Sequence, residues 1–201
     1  MPSKRYNFSR YAMYSSIEKF IKSKQLLSGK CLLIGDSLEG KGNSKIKIRN
    51  TAIIDMLPKK CEITAPPYPN VDIHGMPYED NTFDYVIADQ VLEHVRKPWV
   101  GVEEIRRVLK SGGLAILTSA LIFYVHGVPF DYWRFTPDGL KVLCENFSYI
   151  YECNGTGNLN FVMDIFNKKG GRRVTPNTDL EKKALACDNK HLVSVWIIAE
   201  K

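Results

Sequence analysis

The sequence lacks any apolar run approaching the roughly 20 residues that a membrane-spanning helix requires. Its first residues, Met-Pro-Ser-Lys-Arg-Tyr, lead into a polar, aromatic segment without the apolar stretch of a secretion signal. A cytoplasmic chain with no membrane span, or a piece cut from a larger polypeptide, is therefore expected. Cysteines are few and scattered: Cys31, Cys61, Cys144, Cys153 and Cys187 form no Cys-x-x-Cys pair. That argues against a zinc ribbon or a disulfide framework and for reduced, structural thiols. Histidines and carboxylates show no cluster at metal-ligand spacing in the sequence, so a metal is left open but unsupported. Internal repeats and low-complexity tracts are also missing.

The 201 residues, 44% hydrophobic and 25% charged, have the composition of one ordinary globular domain. The net charge of +6 gathers toward the two ends, at Lys4, Arg5, Lys19, Lys22, Lys24 and again at Lys168, Lys169, Arg172, Arg173. No nucleic-acid-binding module accompanies it, so it reads as solvated surface and a nucleic-acid partner is not favoured.

Apolar spacing predicts a helix over residues 9–24, closed by basic residues. Cys31-Leu-Leu-Ile-Gly35 reads as a buried parallel strand ending in glycine. A helix is expected over 44–57, stopped by Pro58, then a short strand at Cys61–Thr64. Three prolines between 66 and 69 bar any helix after it. Further strands are expected at Asn70–Ile73, Asp84–Ala88 and Leu114–Thr118. A helix should begin at Pro98 and end at Gly112-Gly113. Thr136-Pro137 opens another helix, expected to bury Leu140, Val142 and Leu143. Two β-like runs, Tyr149–Cys153 and Leu192–Ala199, close the chain. The predicted fold is α/β and Rossmann-like: a seven-stranded, mostly parallel sheet with helices on both faces and the last strand antiparallel. Its parts are a helical cap (1–30), a core (31–120), and a loop with C-terminal strands (121–201).

Residues 72–113 carry a linked set of motifs: Val71-Asp72, Met76-Pro77-Tyr78, Glu79-Asp80-Asn81, Phe83-Asp84, Leu92-Glu93-His94 and Arg107-Val108-Leu109-Lys110-Ser111-Gly112-Gly113. In order and spacing they resemble the core of the class I S-adenosylmethionine-dependent methyltransferases. The resemblance covers about residues 30–145. It implies S-adenosylmethionine as cofactor, bound beyond the carboxyl ends of the strands. Gly35, Asp36 and Ser37 then supply the close turn. Glu62 accepts from the ribose hydroxyls, with Asp55 as the alternative. Asp72 and Ile73 meet the adenine, and Asp89 and Gln90 face the place of methyl transfer. The chain departs from the family's pattern at the glycine-rich loop, where Leu33 replaces an acid and only the first glycine, Gly35, is kept.

The stretch His126-Gly-Val-Pro129-Phe-Asp131-Tyr132-Trp133-Arg134-Phe135-Thr136 is similar to one found in a subgroup of polysaccharide and glycan biosynthesis proteins. The resemblance implies methylation of a sugar hydroxyl, such as one of a deoxyhexose, in a glycan. It also implies glycosyltransferases as physical or covalent associates. A neutral histidine, ordinarily titrating near about 6.5, suits removal of a hydroxyl proton. His126 and Asp131 are the candidate catalytic pair, with Asp131 either orienting the imidazole or taking the proton itself. His94 is a third candidate. Tyr132, Trp133 and Arg134 are candidate substrate contacts, and the alternative is that Arg134 pairs with Asp131 to pin the loop. Two other functions stay open: methylation of a small metabolite or nucleic acid, and a catalytically silent assembly module.

Overall fold

Every side chain of Cys31–Ile34 and Tyr85–Ala88 is buried, as a strand covered on both faces requires. The computed structural model describes residues 6–24, 28–35, 38–39, 47–48, 56, 60–65, 71–127, 130–167 and 174–201. Its strands are β1 (Ser28–Ile34), β2 (Leu38–Glu39), β3 (Lys47–Ile48), β4 (Lys60–Thr64), β5 (Phe83–Asp89), β6 (Leu109–Ala120), β7 (Tyr149–Thr156) and β8 (Ser194–Glu200). Six of them form one sheet in the order β4-β1-β5-β6-β8-β7, and β2 pairs with β3 apart from it. The pairs β1–β4, β1–β5 and β5–β6 are parallel, and β8 runs antiparallel to both β6 and β7.

The helices are α1 (Tyr11–Ser23), α2 (Pro98–Val108), α3 (Pro137–Leu143), α4 (Leu159–Phe166) and α5 (Asp179–Leu185). They cover both sheet faces. Tyr11, Tyr14, Ile17 and Ile21 of α1 pack with Phe161, Ile165 and Ala184 on one face. Val102, Ile105 and Val108 of α2 pack with Leu140 of α3 on the other. Spacings of three and four residues put each apolar set on one helical stripe. Among the described residues no helix is long and apolar enough to cross a membrane.

One hydrogen-bonded clamp explains why the motifs of residues 76–110 occur together. Arg107 donates to the carbonyls of Met76 and Tyr78 and to Asp80 and Glu104, and Glu104 in turn accepts from Met76 N. Asp84 accepts from Lys110 Nζ at 2.9 Å and from Lys30 N at 2.8 Å. These residues tie the Met76–Asn81 turn to α2, and β5 to β1 and β6.

Four expectations need correction. The strand expected at Asn70–Ile73 does not form over Val71–Ile73, and the sheet has six strands among the described residues. Asp72 instead makes a turn, accepting through its carboxylate from His74 N at 2.9 Å and through its carbonyl from Gly75 N at 3.1 Å. Local side-chain bonds of this kind compete with a ladder. The helix expected over 44–57 is interrupted, since Lys47–Ile48 is extended in β3; Met56 is the only other described residue of that span. Gly112-Gly113 does not end α2. The helix stops at Leu109, whose ψ of 141° is extended, and both glycines lie within β6. The ladder jumps there from Phe83–Leu109 to Tyr85–Leu114, and Gly112, at φ +74°, takes the bulge. Finally, Val142 is 65% exposed, and α3 buries Leu140.

Candidate active site

The carboxyl ends of β1, β5 and β6 converge at Gly35, Asp89-Gln90 and Ala120. Gly35 has φ +90°, and a Cβ placed on it would lie 2.1 Å from Val91 Cγ2. Only glycine lets the turn after β1 lie against the chain leaving β5. Asp36, Ser37 and Asp55 lie outside the described residues.

Two cofactor contacts move. Glu62 is exposed and stands level with Lys30 in the β4–β1 register, five residues before Gly35. At about 3.3 Å per residue that is roughly 16 Å from the turn, beyond the reach of a glutamate side chain. Glu62 therefore does not reach the Gly35 turn. Ile73 is buried, and its side chain packs against Gly101 of α2, so it can offer only backbone. Asp72 is 74% exposed in its side chain, and Oδ1 accepts from His74 Nδ1 at 2.5 Å. The two bonds from His74 hold its carboxyl below the usual carboxylate range. His74 is partly buried, and its Nε2 accepts from Lys97 N at the start of α2.

Asp89 is buried where β5 ends. Its carboxylate accepts from Tyr14 Oη at 2.7 Å and Thr118 Oγ1 at 2.5 Å, with Arg10 Nη1 at 3.9 Å. Gln90, in the left-handed region at φ 56°, donates through Nε2 to Thr118 Oγ1. Next to Gln90 lies a cavity of about 770 Å³, with Arg10, Phe123, Tyr124, His126 and Phe166 among its walls. That volume is in the range of small-molecule sites. Sequence reasoning missed Arg10, Tyr14, Phe123, Tyr124 and Phe166. Tyr14 and Asp89 are 75 positions apart, so no local pattern joins them.

The loop after β6 is held by a clasp. Arg134 donates through both terminal nitrogens to Asp131 and through Nη2 to Tyr124 O at 3.1 Å, and His126 N donates to Asp131 Oδ2 at 2.8 Å. His126 Nδ1 lies 3.3 Å from the same Oδ2. The Arg134 guanidinium holds the Asp131 carboxyl far below the usual range. An acid so strong is a poor proton acceptor at neutral pH, which favours Asp131 as the group that orients His126. Arg134 is the clasp's other half rather than a substrate contact. Trp133 donates Nε1 to Val95 O and packs edge-on to Trp99, while Tyr132 packs on Phe130; neither is among the cavity's wall residues. The flat walls are Phe123, Tyr124 and Phe166 instead.

The clasp has a pH signature. A carboxyl whose folded pKa is depressed contributes stability above its unfolded value, about 3.9, and loses it as pH falls through the folded value. Asp131→Asn should lower the melting temperature at pH 7, and the deficit should shrink below about pH 4. Thermal melts of both proteins from pH 7 to pH 3 check this. A pH-independent deficit would remove the ion pair as its cause.

Glu93 and His94 sit beneath this loop. Glu93 O accepts from Tyr132 N at 2.7 Å and Trp133 N at 3.2 Å, and Oε2 accepts from Ser119 Oγ at 2.9 Å. The Glu93 side chain is fully buried, and burial pushes its carboxyl up. His94 Nδ1 is 2.6 Å from Phe130 O, and its ring centroid is 4.9 Å from that of His126. A ligating atom of each of Glu93, His94 and His126 lies within 4.8 Å of the others. This corrects the expectation that no metal-spaced cluster exists: residues 32 positions apart in sequence are neighbours in the fold. The cysteines of the described residues are free, and burial pushes the thiols of Cys31 and Cys144 up to about 12.

Residues 51–117 match a sequence family described as a methyltransferase domain. An uncharacterised protein of Methanocaldococcus jannaschii is 35% identical over 89 residues, covering 39% of this chain and 39% of that one. The chain spans between 13% and 39% of the length of the curated relatives it matches. Among solved structures, the cyclase SpnF shares the fold at 17% identity and a TM-score of 0.55, over 99% of this chain and 85% of that one. A SAM-dependent methyltransferase from Aquifex aeolicus does so at 13% identity and 0.51, over 95% and 92%. The architecture is the Rossmann-like methyltransferase fold, and residues 51–117 match a methyltransferase domain.

Proposed function

We propose that the chain transfers a methyl group from S-adenosylmethionine to a sugar hydroxyl held in the cavity beside Gln90 and His126, on a glycan. The observation that carries this is the His126 imidazole at the cavity wall. Among the described residues its Nδ1 faces two acceptors, Asp131 Oδ2 and Tyr124 O, each at 3.3 Å. Nδ1 therefore holds the ring hydrogen, and Nε2 keeps a lone pair for an acceptor hydroxyl. The flat faces of Phe123, Tyr124 and Phe166 suit the C–H side of a sugar ring, and Asn7, Arg10 and Gln90 offer partners for its hydroxyls. The likeness of residues 126–136 to glycan biosynthesis proteins favours a glycan and neighbouring glycosyltransferases over a small metabolite.

S-adenosylmethionine supplies the activated methyl group. The chain's own residues shape its site through the Gly35 turn and the Asp72 carboxylate, while Tyr14 and Thr118 fix Asp89 at the end of β5. Alignment of hydroxyl oxygen, methyl carbon and sulfur supplies most of the rate, and His126 acts on the hydroxyl.

Two experiments test this. Asp72→Ala should weaken S-adenosylhomocysteine binding by roughly 10- to 150-fold, since a hydrogen bond to a charged group contributes about 1.5–3 kcal/mol. Unchanged affinity in the folded variant would take Asp72 out of the site. In a screen with isotopically labelled methyl donor, mass spectrometry should find label on a sugar-bearing acceptor and leave nucleic acid unlabelled. Label on nucleic acid or on a non-sugar metabolite alone would replace the sugar reading.

A further inference from the structure

Glu93, His94 and His126 cluster at the loop after β6, and His126 also lines the cavity. Among the described residues Glu93 Oε1 is buried without a hydrogen-bond partner, although its sister Oε2 is satisfied by Ser119. A bare buried carboxylate oxygen is costly unless something cationic meets it. His94 Nδ1 lies against a carbonyl and His126 Nδ1 against a carbonyl and a carboxylate. In the neutral ring a hydrogen on each Nδ1 satisfies these acceptors and leaves each Nε2 a lone pair. An imidazole that ligates a metal through one nitrogen donates the other N–H to such a carbonyl or carboxylate. One ligating atom from each of Glu93, His94 and His126 lies within 4.8 Å of the others, and two imidazoles beside a buried carboxylate suit a cation.

We propose that Glu93, His94 and His126 bind one divalent transition-metal ion at the wall of the cavity. Two imidazoles and one carboxylate suit manganese, iron, cobalt or zinc better than magnesium or calcium, which prefer oxygen. Ligands about 2.0–2.2 Å from such an ion sit roughly 3.3–3.6 Å apart. The cluster reaches that spacing if its atoms close by about 1 Å, and the His126 side chain, 35% exposed, has room to turn. Three protein ligands leave positions open toward the cavity.

The ion's role rests on the methyl-transfer reading. A hydroxyl oxygen coordinated to it is more acidic and gives its proton to cavity water. That oxygen forms a bond to the methyl carbon as the carbon–sulfur bond breaks, and the electron pair leaves with sulfur. His126 then spends Nε2 on the ion and does not itself take the proton.

The test is titration of chelator-stripped, full-length protein with Co2+, followed by visible absorption and calorimetry, with S-adenosylhomocysteine titrated into the same samples. One Co2+ per chain is expected, with affinity lowered by more than about 100-fold in Glu93→Gln, His94→Ala and His126→Ala, and by about 10- to 100-fold in Asp131→Asn. Should buried Glu93→Gln not fold, the less buried His126→Ala decides. Absence of Co2+ binding in folded wild type, or binding unchanged in His94→Ala and His126→Ala, overturns the site. Protein that binds S-adenosylhomocysteine but not Co2+ loses the metal and keeps the transferase. Protein that binds only Co2+ keeps the metal site and loses the transferase.

Discussion

His126→Ala should lower turnover by about 100- to 10,000-fold while leaving S-adenosylhomocysteine affinity and melting temperature nearly unchanged. The size follows from position. His126 is the imidazole in the wall of the cavity, and the clasp aims its Nε2 away from Asp131 and Tyr124. Whether that lone pair receives the hydroxyl proton or holds an ion that acidifies the hydroxyl, its removal acts on the transition state and not on the cofactor. The backbone bond from residue 126 to Asp131 survives the substitution, so the loop keeps its shape. Single-turnover rates with saturating methyl donor give the reading. Loss of turnover in step with loss of folded protein would make the residue structural, and full activity would leave alignment alone to carry the reaction.

Gly35→Ala should damage both the fold and the cofactor site. The residue needs φ +90°, and an added Cβ would fall 2.1 Å from Val91 Cγ2. Backbone strain and overpacking each cost about 1–3 kcal/mol. A melting temperature lower by several degrees, with markedly weaker S-adenosylhomocysteine binding, is expected. The double variant Gly35→Ala, Val91→Ala should recover part of the stability, because the clash is with Val91, while the backbone strain remains. A single variant as stable and as tightly binding as wild type would mean that the β1 turn does not lie against Val91.

The frame of the fold is legible because burial on both faces leaves its mark in continuous apolar runs. Cys31–Ile34, Tyr85–Ala88 and the stripe Val102, Ile105, Val108 are the clearest. What local pattern cannot see is competition from a distant partner. Gly112-Gly113 looks like a helix end, yet Leu109 already pairs with Phe83 across the sheet. Val71–Ile73 looks like a strand, yet Asp72 and His74 satisfy the backbone in a turn. The same holds in the site. His126 and Asp131 are near each other in sequence, and their pairing is readable. Glu93 reads only as part of the Leu92-Glu93-His94 motif, and its burial against Ser119 comes from the fold. Arg10 and Tyr14 read only as part of an amphipathic helix until α1 brings them to Asp89. Tyr132 and Trp133 look like sugar platforms by type, but Trp133 is spent on Val95 and Trp99, and the cavity draws its aromatic faces from Phe123, Tyr124 and Phe166.

The most direct test of the central claim is a calorimetric titration of S-adenosylhomocysteine into the purified chain. The account predicts one site with micromolar affinity, weakened by Asp72→Ala and indifferent to His126→Ala. No binding and no thermal stabilisation of folded protein at millimolar ligand would contradict it and leave a methyltransferase fold without a methyl donor.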